Sequence, residues 1–249
     1  MVAMIGKVAA LWRYPASSLA GEALDAAIVD SHGVEGDRLF GVVDAISGDI
    51  ARPTSPDGRW KRIAHIRARL SPDGALEISV PEYDWLPAPG VAADEAVSAF
   101  LGFPARVLPL KGEAASKDHE GPLGEARYVR APIHLLTTAS LARLSALHPS
   151  GVADPARFRP NILVDMPATE GRFPETEWIG RRIAVGEVEL TVAEPCRRCG
   201  FTTLSQDGFG EDAEILRNIV RHNMRNLGIY CTVDRPGRIT PGDPLVLLD

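Results

Sequence analysis

Arg182-Ile183-Ala184-Val185-Gly186-Glu187-Val188-Glu189-Leu190-Thr191-Val192-Ala193-Glu194-Pro195-Cys196-Arg197-Arg198-Cys199 is the stretch that decides how this chain folds. Ile183, Val185, Val188, Leu190 and Val192 alternate on either side of Gly186-Glu187. That period of two, broken by a turn dipeptide, predicts a half-buried β-hairpin. Pro195 follows the second strand, so the two cysteines open a loop at a sheet edge. Working outward, residues 5–11, 26–29 and 39–43 predict further strands, with a turn over 33–37. Ser71-Pro72-Asp73-Gly74 predicts another turn, after which Leu76, Ile78 and Val80 alternate. Helical spacing is confined to three places. Asp94 as cap and Gly102 as stop bracket Ala96, Val97, Phe100 and Leu101. Thr137 or Thr138 caps a helix bearing Leu141, Leu144 and Leu147. Ile215, Leu216, Ile219, Val220 and Met224 form the third, with Gly228 as its C-cap. A turn over 237–243 and a closing strand over 245–248 complete the pattern. The fold class expected is α+β, mostly β, with a barrel-like architecture.

The chain has 249 residues and a formal net charge of −6. The length suits one large domain or two small ones. The division expected is a β-rich module over 1–110, a polar, Gly-rich linker or loop over 111–124, and a second module over 125–249. An acidic surface excludes nucleic acid as the general partner, though local basic clusters can still hold an anion. No run of about 18 apolar residues exists, so no membrane-spanning helix is expected. No signal peptide is apparent either, and a cytoplasmic location is the expectation. Three cysteines, Cys196, Cys199 and Cys231, are too few for a disulfide framework or for a four-cysteine iron–sulfur cluster within the chain.

Chemistry concentrates at Cys196-Arg197-Arg198-Cys199. The thiolate is the form that binds metal or attacks electrophiles, and two arginines favour it by charge. A thiolate also suits a soft, high-valent metal. Three other readings stand beside this one. Cys196, Cys199, Cys231 and His222 make a Cys3His zinc set by composition. A thioredoxin-like pair would need the motif to open a helix, whereas 200–204 reads as extended chain. Two small buried residues are the plainest reading. Upstream, Arg157-Phe158-Arg159-Pro160-Asn161 enters an apolar strand and offers a bidentate anion grip with an amide beside it. Gly36-Asp37-Arg38 places a guanidinium at a turn, oriented by its neighbouring carboxylate, and the 14–21 loop offers hydroxyls and N–H groups to a phosphate. The six histidines show no metal-ligand spacing and read as surface or satisfied core residues.

Taken in order, these segments resemble the MOSC family, named for the C-terminal domain of molybdenum cofactor sulfurases. Residues 14–21 with Gly36-Asp37-Arg38 look like its N-terminal β-barrel module. Residues 132–141, Arg159-Pro160-Asn161, Cys196 to Cys199 with Thr202-Thr203, and 237–243 look like the MOSC domain itself. The arrangement resembles that of the mitochondrial amidoxime-reducing components and their bacterial counterparts. The resemblance implies a molybdenum cofactor, a pterin-bound metal, with Cys199 as the catalytic thiolate ligand. It implies cofactor contacts from Arg38, Arg159, Asn161, Arg197 and Arg198. Ser17 stands where the family carries lysine and Ser18 keeps the adjacent serine, so Arg130 is expected to restore the missing positive charge. The activity implied is reduction of N-hydroxylated compounds (amidoximes, hydroxylamines, N-hydroxy bases). A separate flavin, haem or iron–sulfur protein would supply the electrons. A sulfur-carrier or cofactor-carrier role through Cys199 or Cys196, and a non-catalytic binding domain, are the competing functions.

Overall fold

The computed structural model describes residues 4–111, 132–168 and 171–248. Its centre is a closed barrel of seven strands. Their order is Ile162–Asp165, Ile133–Thr137, Asn226–Arg235, Val188–Arg197, Arg182–Val185, Pro244–Leu247 and Met4–Arg13, and the last pairs back onto the first. Neighbours run antiparallel except Ile133–Thr137 beside Ile162–Asp165. A parallel pair needs a crossover, and this one carries helices α2 (Thr138–Leu147) and α3 (Pro155–Phe158), with α1 lying upstream at Val91–Leu101. The α+β, mostly β barrel expected from the sequence is the fold that forms.

The barrel closes because alternate residues have nowhere else to go. Ile183, Val185, Val188, Leu190 and Val192 are all fully buried in its interior, the alternation that predicted the hairpin. The predicted tip at Gly186-Glu187 joins Val185 to its partner Val188. A second core lies outside the barrel. Trp60, Ile63, Ile78 and Val97 pack together there, between the sheet Arg67–Leu70, Leu76–Ser79, Trp85–Ala88 and helix α1. A third joins α2 to α4 (Ala213–Asn223) through Leu144, Ile215 and Ile219 on the barrel's outer wall.

Several local expectations change. Thr137 caps α2, accepting the Ser140 N–H at 3.1 Å. Asp94, by contrast, lies inside α1, and its carboxylate accepts the Val107 N–H at 2.8 Å; Gly90 holds the cap position. Gly102 ends α1 in the left-handed region as predicted. Gly228 does not end α4, because Met224 adopts the left-handed cap and Gly228 falls within the strand Asn226–Arg235. Residues 200–203, read as extended, form a 3-10 turn. Part of the 33–37 turn is a short strand, Gly33–Val34. The expected linker lies, beyond Lys111, outside the described residues. Among the described residues no helix is long and apolar enough to cross a membrane.

Candidate functional site

Tyr14 follows directly on the barrel strand Met4–Arg13 and is buried. The Arg159 guanidinium carbon stands 4.2 Å from its ring centroid, and that of Arg38 5.3 Å. Both arginines hold left-handed backbone, φ 55° each, and Ser18 does so at φ 69°. These are three of the six non-glycine residues with positive φ among the described residues. Such strain persists only where surroundings over-determine it, and it gathers at working sites. The cause is visible for Arg38. Its N–H donates to the Tyr14 carbonyl at 2.7 Å, and Asp37 accepts the Tyr14 N–H at 2.7 Å while pairing with the Arg38 guanidinium. For Arg159, the C-cap of the single-turn α3 fixes the conformation, and its guanidinium donates to the Leu19 carbonyl.

Asn161 holds these loops together from below. Its Oδ1 accepts the His134 N–H at 3.1 Å and an Arg38 N–H at 3.3 Å, while Nδ2 donates to Trp12 O at 3.4 Å. His134 is buried, with Nδ1 3.1 Å from Arg159 O and Nε2 3.5 Å from an Arg198 nitrogen. Burial first, then the Arg198 charge, pushes its pKa well below the usual imidazole value. The ring is therefore neutral, with Nδ1 assigned as donor and Nε2 as acceptor.

Arg198 points inward and is buried. One terminal nitrogen donates to Phe158 O at 2.7 Å and the other to Cys196 Sγ at 2.6 Å. Its Nε has no hydrogen-bond partner among the described residues. Burial and the adjacent Cys196, to which it hydrogen-bonds, raise the phenol of Tyr230. Cys196 itself is 1% exposed, at the end of Val188–Arg197, and is sealed from solvent. Cys199 is only half-buried. It caps the 3-10 turn Gly200–Thr203 and packs on Ala64, Phe201 and Leu204. Phe201 links this loop to the arginines, its centroid lying 5.4 Å from the Arg159 guanidinium.

The guanidinia of Arg159 and Arg38 thus lie over the Tyr14 ring, Arg38 paired with Asp37, and Arg198 joins them through His134. Guanidinia gathered in a partly buried site offer an anion planar, charge-assisted hydrogen bonds. Together with the unused Arg198 Nε, the set fits an anionic group carrying a phosphate.

Other predicted residues separate from this cluster. Arg197 is exposed at the strand end. Ser17 is buried in a two-residue strand pairing with Gly41, and Ser18 sits at the strained turn beside it. Arg130 lies outside the described residues. The zinc set does not assemble: Cys231 is in the barrel core, His222 is exposed on α4, and the described residues include no group of three or more His, Cys, Asp or Glu side chains arranged for a metal. Arg157, adjacent in sequence to the site, serves structure. It donates to the carbonyls of Val152, Thr202, Leu204 and Gly210 at 2.8, 3.1, 3.2 and 2.9 Å, which clamps the turn after Cys199.

The sequence matches the MOSC N-terminal beta barrel domain over residues 5–117 and the MOSC domain over 116–246. The chain belongs to the MOSC family. Among curated relatives, this MOSC protein is similar to mitochondrial amidoxime-reducing component 1 of Mus musculus, 29% identical over 130 residues, which is 47% of this chain and 36% of the relative. The same component from Danio rerio is 33% identical over 125 residues, 46% of this chain and 36% of the relative. The aligned part is therefore about a third of those relatives' length. Among solved structures, the YuaD protein from Bacillus subtilis shares the fold, with a TM-score of 0.51 at 14% identity, covering 99% of this chain and 98% of that one.

Tyr14 entered the sequence reading only as the first residue of the 14–21 loop, and His134 and Tyr230 were not nominated for the site. One signal was present. His134 interrupts the apolar run Ile133, Leu135, Leu136, and a polar side chain in a buried strand must find partners.

Proposed function

We propose that this MOSC protein is a molybdenum-cofactor-dependent reductase of N-hydroxylated compounds, fed with electrons by a separate protein. The observation that carries the reading is the gathering of Arg38 and Arg159 over Tyr14, with Arg198 joined to them through His134 and the Cys199 loop joined through Phe201. In this reading Cys199 is the thiolate on the metal. Arg38 and Arg159 bind the phosphate of the pterin, with Ser17 and Ser18 on the same loop system. Asn161 orients Arg38, the Arg198 Nε answers a cofactor acceptor, Arg197 contacts the cofactor from the strand end, and Arg130 supplies the charge that Ser17 lacks. When bound, the cofactor supplies a two-electron redox centre. The net reaction is R–NHOH plus two electrons and two protons giving R–NH2 and water. The mouse and zebrafish relatives named amidoxime-reducing components support this substrate class.

The protein's own residues contribute orientation and charge. Guanidinia give planar, bidentate grips that a flexible lysine would not. Neutral His134 fixes the Arg159 carbonyl and accepts from Arg198, so the cluster is pre-arranged before any ligand arrives. The test is elemental mass spectrometry on protein from a host that makes the pterin. Stoichiometric molybdenum, lost in Cys199→Ala together with benzamidoxime reduction by reduced viologen, is the expected result. Absence of molybdenum from correctly folded protein would overturn the reading. Metal retained in Cys199→Ala, with persulfide labelling lost, would point to sulfur relay instead.

A further inference from the structure

Helix α4 packs on the barrel through Ile215, Asn218 and Ile219 and turns its other side outward. Between that side and the turn after Cys199 lies an open cleft of about 490 Å³. Gly200 and Thr203 form one wall, and Leu216, Arg217, Val220 and Arg221 the other. Val220 is 49% exposed and Met224, one turn on, 80% exposed. Leu216 and Val220, four residues apart on the helix, make one apolar stripe along the cleft, with Met224 exposed at the helix cap beyond it.

The charges around this stripe run against those of the molecule. Residues 213–225 carry Arg217, Arg221 and Arg225 against Glu214 alone, and Arg197 is exposed nearby in the loop system, whereas the whole chain is −6. Glu214 pairs with Arg217 at 2.5 Å, and Glu211 with Lys61 at 3.7 Å; both pairs are exposed and hold their partners weakly. The patch is also tied to the site. Arg225 Nε donates to Arg198 O at 2.5 Å, and Arg198 N–H donates to Arg225 O at 2.8 Å, one residue from Cys199.

We infer that this face of α4 is where the electron donor docks, and that the donor meets it with an acidic surface. The inference rests on the reductase reading above. Transient redox partners use small contacts with an apolar centre and a charged rim. A basic rim on a molecule of net negative charge also orients the encounter, since the overall charge disfavours an acidic partner away from it. The inner wall of the cleft begins at Gly200, so a donor seated there approaches the proposed metal ligand directly.

The experiment titrates the molybdenum-loaded protein with two acidic probes, a [2Fe–2S] ferredoxin and a flavodoxin, by calorimetry at low and moderate salt. Wild type is expected to bind at least one of them, more weakly as salt rises. Arg217→Glu/Arg221→Glu is expected to weaken binding by about tenfold or more, as reversing charges at a complementary rim does. Arg238→Glu is the control. It lies beside Glu187, about 30 Å along the ten-residue strand from the cysteine end, and should bind as wild type does. Equal affinity in the double variant, equal weakening in the control, or no salt-dependent binding of either probe overturns the inference. Viologen-driven reduction separates the two ideas. If wild type fails to reduce benzamidoxime with viologen, the reductase reading falls and the docking role falls with it. If viologen works equally in wild type and double variant while probe binding is unaffected, only the docking surface is wrong.

Discussion

Substituting Gly228 by alanine should cost this protein about 2–5 kcal/mol, a sum of two effects. Gly228 has φ 80°, where an L side chain is strained by about 1–2 kcal/mol. A Cβ there would also lie 2.4 Å from His134 Nε2 and 2.8 Å from Leu135 O. Neither neighbour can yield cheaply. Leu135 O belongs to a barrel strand, and the His134 ring is held at 3.1 Å by Arg159 O and against Tyr230 at 5.4 Å between centroids. Overpacking of that kind adds about 1–3 kcal/mol. Urea unfolding of wild type and Gly228→Ala reads the sum as a fall in midpoint at constant slope. Removing the ring with His134→Ala relieves the side-chain clash and leaves the φ strain and the Leu135 contact. The double variant should therefore be less destabilised than the two singles added together, by about 1–2 kcal/mol. A loss under about 0.5 kcal/mol in Gly228→Ala, or strict additivity in the cycle, would refute the geometry argued for the site.

Two further outcomes follow from buried groups. His134 titrates below its usual value in the folded state, through burial and Arg198, so below about pH 6.5 the unfolded chain takes a proton that the folded one refuses. Stability should fall on acidification by up to about 1.4 kcal/mol per pH unit from this residue, until the folded-state pKa is reached. His134→Gln should flatten the profile between pH 6.5 and 5, and parallel urea profiles would contradict the assignment. Arg157→Met strips a charged donor from four carbonyls at once and should cost about 3–5 kcal/mol. A loss below about 1 kcal/mol would show that the turn after Cys199 does not depend on it.

The local pattern of the barrel was legible because strand alternation is a two-residue signal. Ile183 through Val192 shows it without reference to the rest of the chain. Its closure was not legible, since the pairing of Val8 with Val164 joins segments far apart in sequence. Arg38, Arg159, Asn161 and Cys199 could be nominated because guanidinium, amide and thiol groups declare their chemistry. Tyr14 and His134 declare it only through burial and contact with the arginines, which a sequence does not display. Gly228 misled for a related reason. Glycine favours helix ends, but Met224 took the left-handed cap, and the glycine was needed where the strand passes His134. Arg157 and Arg159 look equivalent in sequence, yet the intervening Phe158 and the turn of α3 send one into the carbonyl clamp and the other over Tyr14.

The strand Met4–Arg13 is a stave lent by the first segment of the chain to a barrel built otherwise from the last. During synthesis it emerges early and must wait for Pro244–Leu247 before both its edges are covered. Until then the growing barrel carries open strand edges, and closure over such a sequence distance is slow. A fragment cut between the two halves would keep those edges open permanently, so the halves are bound into one folding event.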